Sequence, residues 1–150
     1  MKRFLCLVAV GIYALSTALA ASGNSGDRIL GVYKAEKDGA VSKVRISKTG
    51  ENTYRAQVFW LENETNPDGS IRTDRKNPDP AKRSTPSSQV VLIESVSYDA
   101  EEQKWQDGQI YDPTSGKTYK VVIVFDDPTT LRVRGYWGPF SNSMYWKKIE

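Results

Sequence analysis

Alternation of apolar and polar residues with a period of two, in short runs each broken by glycine, proline, asparagine or aspartate, limits what this chain can fold into. Eight such runs follow one another: Arg28 to Lys34, Val41 to Lys48, Thr53 to Glu62, Gln89 to Tyr98, Lys104 to Tyr111, Lys117 to Phe125, Thr130 to Tyr136 and Ser143 to Ile149. Between them lie hairpin signals such as Lys37-Asp38-Gly39, Lys48-Thr49-Gly50, Asp112-Pro113-Thr114-Ser115-Gly116 and Asp126-Asp127-Pro128. No helical period competes with them. Val44 and Ile46 alternate with Lys43, Arg45 and Ser47, and Tyr119, Val121, Ile123 and Phe125 share one parity, so each strand has one apolar face. Sequential short strands with one buried face avoid open edges by closing into an all-β, eight-stranded antiparallel up-and-down barrel. A β-sandwich is the alternative architecture.

Ahead of these runs, Lys2 and Arg3 precede an apolar stretch from Phe4 to Leu15, and Ala18-Leu19-Ala20 supplies small residues. This order predicts a signal peptide over residues 1–20, cleaved near Ala20, and an exported domain over residues 21–150, periplasmic or secreted. The apolar stretch is short for a membrane span, and a polar tract, Ala21 to Gly26, follows it. The mature form is therefore expected to have no membrane span. Cys6 lies inside the apolar stretch and is badly placed for lipid attachment.

Of 21 basic residues, Lys2 and Arg3 leave with the leader, so 19 face 18 acidic ones and the mature domain is nearly neutral. That argues against a nucleic-acid partner, which needs a clustered basic face. The sequence has no histidine and one cysteine, Cys6. Histidine-based triads, Cys/His zinc sites and histidine-ligated haem are thereby removed. Asp68-Gly69 with Asp74 is only a fragment of a calcium loop. No metal or cofactor is expected.

The even spacing of the strands fails once, from Asn63 to Ser88 after the third run. This polar stretch holds Pro67, Pro78, Pro80 and Pro86 and mixed charges. Such a length suggests either a flap over a barrel mouth, with a helical turn near Asp79 to Arg83, or a mobile insertion.

Among motifs with chemical content, Gly116-Lys117-Thr118 has Tyr111 where a phosphate loop needs its first glycine, and a strand follows it, so a hairpin is the better reading. Arg134 and Tyr136, two apart, project from one strand face in the geometry that grips a carboxylate, as in fatty-acid-binding barrels. Leu131 and Val133 have the core parity, however, which favours solvent for Arg132, Arg134 and Tyr136. Trp60, Trp105, Trp137 and Trp146, with Tyr111 and Tyr136, suit core and barrel-end packing better than a sugar platform. Asp107 and Asp112 are a weak candidate pair for glycosidic acid and base work.

Asn77-Pro78-Asp79-Pro80 with Arg83, the block from Trp105 through Gly108, Ile110-Tyr111-Asp112-Pro113 and Ser115-Gly116-Lys117 to Tyr119, then Leu131-x-Val133-Arg134-Gly135-Tyr136 and Trp146, together resemble bacterial domain-of-unknown-function family 2147. The resemblance covers nearly all of the mature chain and implies an exported, lipocalin-like barrel with no established reaction. Where such barrels tend to have Gly-x-Trp, this chain has Gly31-Val32-Tyr33. Tyr33 could close the base similarly if its hydroxyl found a partner. Ser115-Gly116-Lys117-Thr118-Tyr119 also resembles the Ser-Gly-x-x-Tyr loop of periplasmic inhibitors of c-type lysozyme.

The leading expectation is a lipocalin-like barrel binding a small amphipathic or apolar ligand without catalysis, with Arg83, Tyr111, Asp112, Arg134, Tyr136 and Trp137 as ligand-binding candidates near one rim. The alternative is a module that engages another envelope or secreted protein through Ser115, Gly116, Lys117 and Tyr119. A carboxylate-based glycan enzyme comes third.

Overall fold

The computed structural model describes residues 24–150, and the predicted signal peptide lies outside them. Eight strands form one closed antiparallel barrel in chain order: β1 Gly31–Lys37, β2 Ala40–Gly50, β3 Thr53–Leu61, β4 Val91–Asp99, β5 Lys104–Asp112, β6 Lys117–Asp127, β7 Thr130–Trp137 and β8 Phe140–Lys148. β8 closes on β1 through the Ala35–Trp146 and Tyr33–Lys148 pairs. All eight expected strands are present. The sandwich alternative is not formed.

The boundaries differ most from the sequence reading at β1 and β8. Arg28 and Ile29 belong to a 3-10 turn, Ser25–Ile29, whose first turn is capped by the Asn24 side chain accepting from the Gly26 N–H. β1 begins only at Gly31, where φ is +142° and a Cβ would stand 2.3 Å from the Glu150 carbonyl oxygen, so a residue other than glycine is excluded. β8 starts at Phe140, because Gly138, with φ +55°, turns the chain tightly enough for Trp137 to pair with Phe140. Ser141-Asn142, polar enough to read as loop, is thereby strand.

The strands meander, so odd strands all end at one rim and even strands at the other. At the first rim are the β1–β2, β5–β6 and β7–β8 hairpins and the long β3–β4 connection. The β1–β2 hairpin carries Asp38 and Gly39 at φ +51° and +79°, as a two-residue loop with both central residues left-handed requires. At the other rim lie the 3-10 turn and the C-terminal residues, with the Val32 N–H donating to the Glu150 carbonyl and the Ile149 N–H to that of Val32.

Bulges set which residues face inward. β2 Val44 pairs with Val58 while Lys43 pairs with Trp60, so Phe59 is the extra residue and both Phe59 and Trp60 reach the surface. β5 has a bulge between Trp105 and Gly108, with Asp107 at φ +60°. Among the described residues no helix is long and apolar enough to cross a membrane.

Candidate functional site

The two halves of the barrel interior are filled differently. Toward the base, Tyr33, Tyr54, Trp105, Ile29, Ile93 and Leu131 are fully buried. The ring polar atoms all find partners. Tyr33 Oη donates to the Ile29 carbonyl at 2.8 Å, Trp105 Nε1 to the Gly26 carbonyl at 3.2 Å, and Tyr54 Oη to Asp27 Oδ1 at 2.7 Å. Burial pushes the Tyr33 phenol far above its ordinary range. Lys48 Nζ stands 2.8 Å from Asp27, and the Arg28 guanidinium covers the Trp105 and Phe125 rings at 5.3 and 5.2 Å. Residues 24–29 thus plug this end, and Tyr33 takes the base position with the hydroxyl partner it needs.

Toward the other rim the inward side chains shrink. Along β1, Tyr33 gives way to Ala35; along β3, Tyr54 gives way to Ala56 and Val58; along β7, Val133 gives way to Gly135. The result is a cavity of about 560 Å³ open at this rim. Trp146 lies at its inner end, fully buried, and Val58, Leu61, Ile110, Tyr119 and Met144 form its walls. Trp137 and Phe140 stand at the lip, 67% and 66% exposed, with ring centroids 6.1 Å apart.

Polar groups concentrate at the mouth. Asp112, at the end of β5, receives Lys37 Nζ at 2.9 Å, the Thr114 N–H and hydroxyl at 3.0 and 2.7 Å, and the Ser115 hydroxyl at 2.9 Å. Burial opposes its ionisation, but these donors outweigh burial and hold the carboxyl below its usual range. Tyr111 Oη donates at 2.7 Å to Asp74, a buried carboxylate in the long loop that also accepts from Asn77 Nδ2 at 2.8 Å. Burial first, and then Asp74, push the Tyr111 phenol well above its ordinary value.

The long loop is fastened at several points. Thr73 bridges to Pro86, the Asp79 side chain caps a 3-10 turn over Pro80–Lys82, and Lys76 Nζ donates to the Thr114 carbonyl at 2.8 Å. Arg72, Thr73 and Ser87 reach the cavity wall. This is the flap arrangement, with the helical turn where the sequence put it.

Of the six ligand-binding candidates, Tyr111, Asp112 and Trp137 line the cavity. Arg83, Arg134 and Tyr136 do not. Arg83 Nε donates to the Asn77 carbonyl at 2.8 Å and braces the loop. Arg134 and Tyr136 are on the outer wall, as the parity of Leu131 and Val133 dictates, with the guanidinium 5.4 Å from the Tyr136 ring and bonded to Ser141 Oγ at 3.1 Å. The carboxylate grip inside the barrel is therefore corrected: these two side chains face away from the cavity.

Ser115, Gly116 and Lys117 form a tethered turn. Gly116 has φ +72°, its N–H donates to the Asp112 carbonyl at 2.8 Å, and a Cβ there would stand 2.2 Å from the Lys76 carbonyl oxygen. Tyr119 points into the cavity instead of projecting with the turn. Asp107 is exposed on its bulge. Among the described residues no group of three or more Asp, Glu, His or Cys could hold a metal ion. The sequence reading missed Ala35 and Gly135, whose smallness makes the space, and Asp74, which secures Tyr111. Small inward residues on otherwise bulky parity series were the available signal for the first two.

A closed eight-stranded barrel with one plugged end and one open, apolar end is a lipocalin-like barrel. The chain belongs to the bacterial family described as "Uncharacterized protein conserved in bacteria (DUF2147)", matched over residues 31–148. Among solved structures it is similar to protein HP1028 from the human pathogen Helicobacter pylori, described as belonging to the lipocalin family: 21% identity, 81% of this chain and 82% of that chain aligned, TM-score 0.63. That likeness is one of fold. A redesigned β-barrel aligns over 86% of this chain and 98% of its own at 14% identity, with a TM-score of 0.46. No curated protein matches the sequence.

Proposed function

We propose that this protein is an exported binding protein that holds a small apolar or amphipathic ligand in the open half of the barrel. The observation that carries the reading is the cavity of about 560 Å³ with Trp146 at its inner end and aliphatic and aromatic walls. That volume lies in the range of small-molecule pockets, and polar groups are gathered at one end of it, so an apolar body goes in first and a polar head stays at the mouth. Lys37 and Arg72 stand at that mouth and give an anionic or hydrogen-bonding head its partners. Export rests on the order of basic, apolar and small residues over 1–20, and N-terminal sequencing of the product from its host tests it.

Binding without catalysis is the version we favour. Asp112, the one carboxylate of the candidate pair at the cavity, is held ionised by Lys37, Thr114 and Ser115, which unsuits it as a general acid near neutrality.

The test is a thermal-shift panel of fatty acids and neutral amphiphiles on delipidated protein, beside Gly135→Leu. A ligand at a hundredfold excess over Kd adds about 2.7 kcal/mol, a readily measured rise in midpoint. The nearest atoms to a Cβ at Gly135 are Tyr119 Cβ at 3.5 Å, Ile110 Cγ2 at 3.8 Å and Tyr119 Cγ at 3.9 Å, all side chain and at ordinary contact distance, so a larger side chain there is expected to extend into the cavity. Gly135→Leu should fold and lose the shift. No shift with any amphiphile in wild type, or an undiminished shift in Gly135→Leu, would overturn the reading.

A further inference from the structure

Residues 24–150 carry 19 basic and 18 acidic side chains, yet the strand order segregates them. The four contiguous strands β7, β8, β1 and β2 carry nine Lys and Arg and a single carboxylate, Glu36. The other four, β3 to β6, carry four bases and six acids. On the outer face of the basic half, cross-strand pairing sets Lys147 beside Lys34, Lys34 beside Lys43, and Lys43 beside Trp60. Lys34 and Lys147 are exposed, and among the described residues the row makes one ion pair, Lys34 with Glu36 at 3.9 Å. Like charges in directly opposed positions destabilise a sheet, so nothing in the fold itself favours three lysines in a row.

We infer that this outer wall is a binding track for an acidic polysaccharide, a carbohydrate chain bearing carboxylate or phosphate groups. Charge complementarity makes the occupant a polyanion. The row runs across β8, β1, β2 and β3, and so curves around the barrel wall. A flat bilayer meets a cylinder along a line and cannot touch all four positions, whereas a flexible chain follows the curve. Single-stranded nucleic acid needs open aromatic faces on which bases stack. Here the Lys43 ammonium lies 4.9 Å from the Trp60 ring and the Arg45 guanidinium 4.3 Å from the Phe59 ring, so each of these rings already carries a cation, and the exposed Tyr145 ring beside the row is no run on which successive bases stack. Neighbouring hydroxyls suit a polyol: Tyr145, 53% exposed, pairs across strands with Arg132, and Ser143 with Arg134. The track is on the outside of the barrel and does not depend on the ligand proposed for its interior.

The experiment measures binding of the mature protein to polygalacturonate and to phosphorylated dextran, with neutral dextran, polyglutamate, poly(dT) and phosphatidylglycerol vesicles run alongside. At least one acidic polysaccharide should bind, and with about three ionic contacts it should weaken roughly twentyfold between 50 and 200 mM salt. The double variant Lys34→Gln/Lys43→Gln should lose that binding tenfold or more, while its melting midpoint stays level or rises because the directly opposed lysine pair is removed. Amphiphile binding in the cavity should be unaffected. Failure of both acidic polysaccharides to bind, equal or tighter binding of polyglutamate, poly(dT) or vesicles, or retention of binding by the double variant would overturn the inference.

Discussion

The base and the mouth of this barrel are built from the same eight strands, and they differ in what the inward positions hold. At the base each large ring has its polar atom tied to the 24–29 segment, and Gly26 fits because a Cβ would stand 2.6 Å from Tyr54 Oη and 2.8 Å from Tyr98 Cβ. At the mouth, Ala35 and Gly135 leave space and the polar atoms are tied to hairpins and loop instead. One end is a core and the other a container. Stability and binding are thereby separated along the axis, and substitutions at the two ends should separate them in measurement.

The largest effect is expected at the base. Trp105→Ala removes a fully buried indole, its edge contact with Phe125 and the N–H bond that fixes the plug, and should cost about 3–5 kcal/mol in denaturant unfolding. Gly26→Ala should cost about 1–3 kcal/mol through overpacking against Tyr98. A Trp105→Ala loss below about 1 kcal/mol would mean that the base is not the core the burial pattern indicates.

Both ends carry carboxylates held low, among them Asp27 at the base, by its hydrogen bonds with Lys48 and Tyr54, and Asp112 at the mouth, by donors that overcome its burial. A carboxyl depressed in the folded state adds stability above its unfolded value, near pH 4, and loses it as pH falls through the folded value. Asp112→Asn should therefore be less stable than wild type at pH 6, and the gap should narrow progressively as pH falls below about 4. A gap independent of pH would remove ionisation as the reason for this network.

Much of the fold was legible because hairpin chemistry is local. Asp38-Gly39 and the Asp112 to Gly116 turn announce themselves, and the parity of Val44 and Ile46 or of Leu131 and Val133 survives folding. Boundaries slipped where a tertiary contact decides the conformation, as at Gly31 against Glu150. The site was half legible. Tyr111, Asp112 and Trp137 end odd strands, which a meander gathers at one rim, but Asp74 reaches Tyr111 from within a loop with no periodicity. The basic wall was invisible for another reason: a net charge near zero says nothing about distribution until strand order is known, and β7, β8, β1 and β2 are contiguous only because the barrel closes.

The smallest effects are expected for two residues that look most functional in the sequence, and their contrast sharpens the distinction between wall and mouth. Arg134 is half-buried on the outer wall, bonded to Ser141 and stacked near Tyr136, with no carboxylate within ion-pair distance among the described residues. Arg134→Ala should change stability by no more than about 0.5 kcal/mol and leave the ligand-induced shift intact. Trp137 is exposed at the lip, with Lys117 Nζ 5.8 Å from its ring, so Trp137→Ala should be as mild in stability. Its indole lines the cavity, however, and without that apolar surface amphiphile binding should weaken by about 1 kcal/mol, or several-fold in Kd. The measurement is a pair of titrations with one amphiphile. Equal affinities for the two variants would place the ligand deeper than the lip, and a loss only in Arg134→Ala would move the binding site to the outer wall.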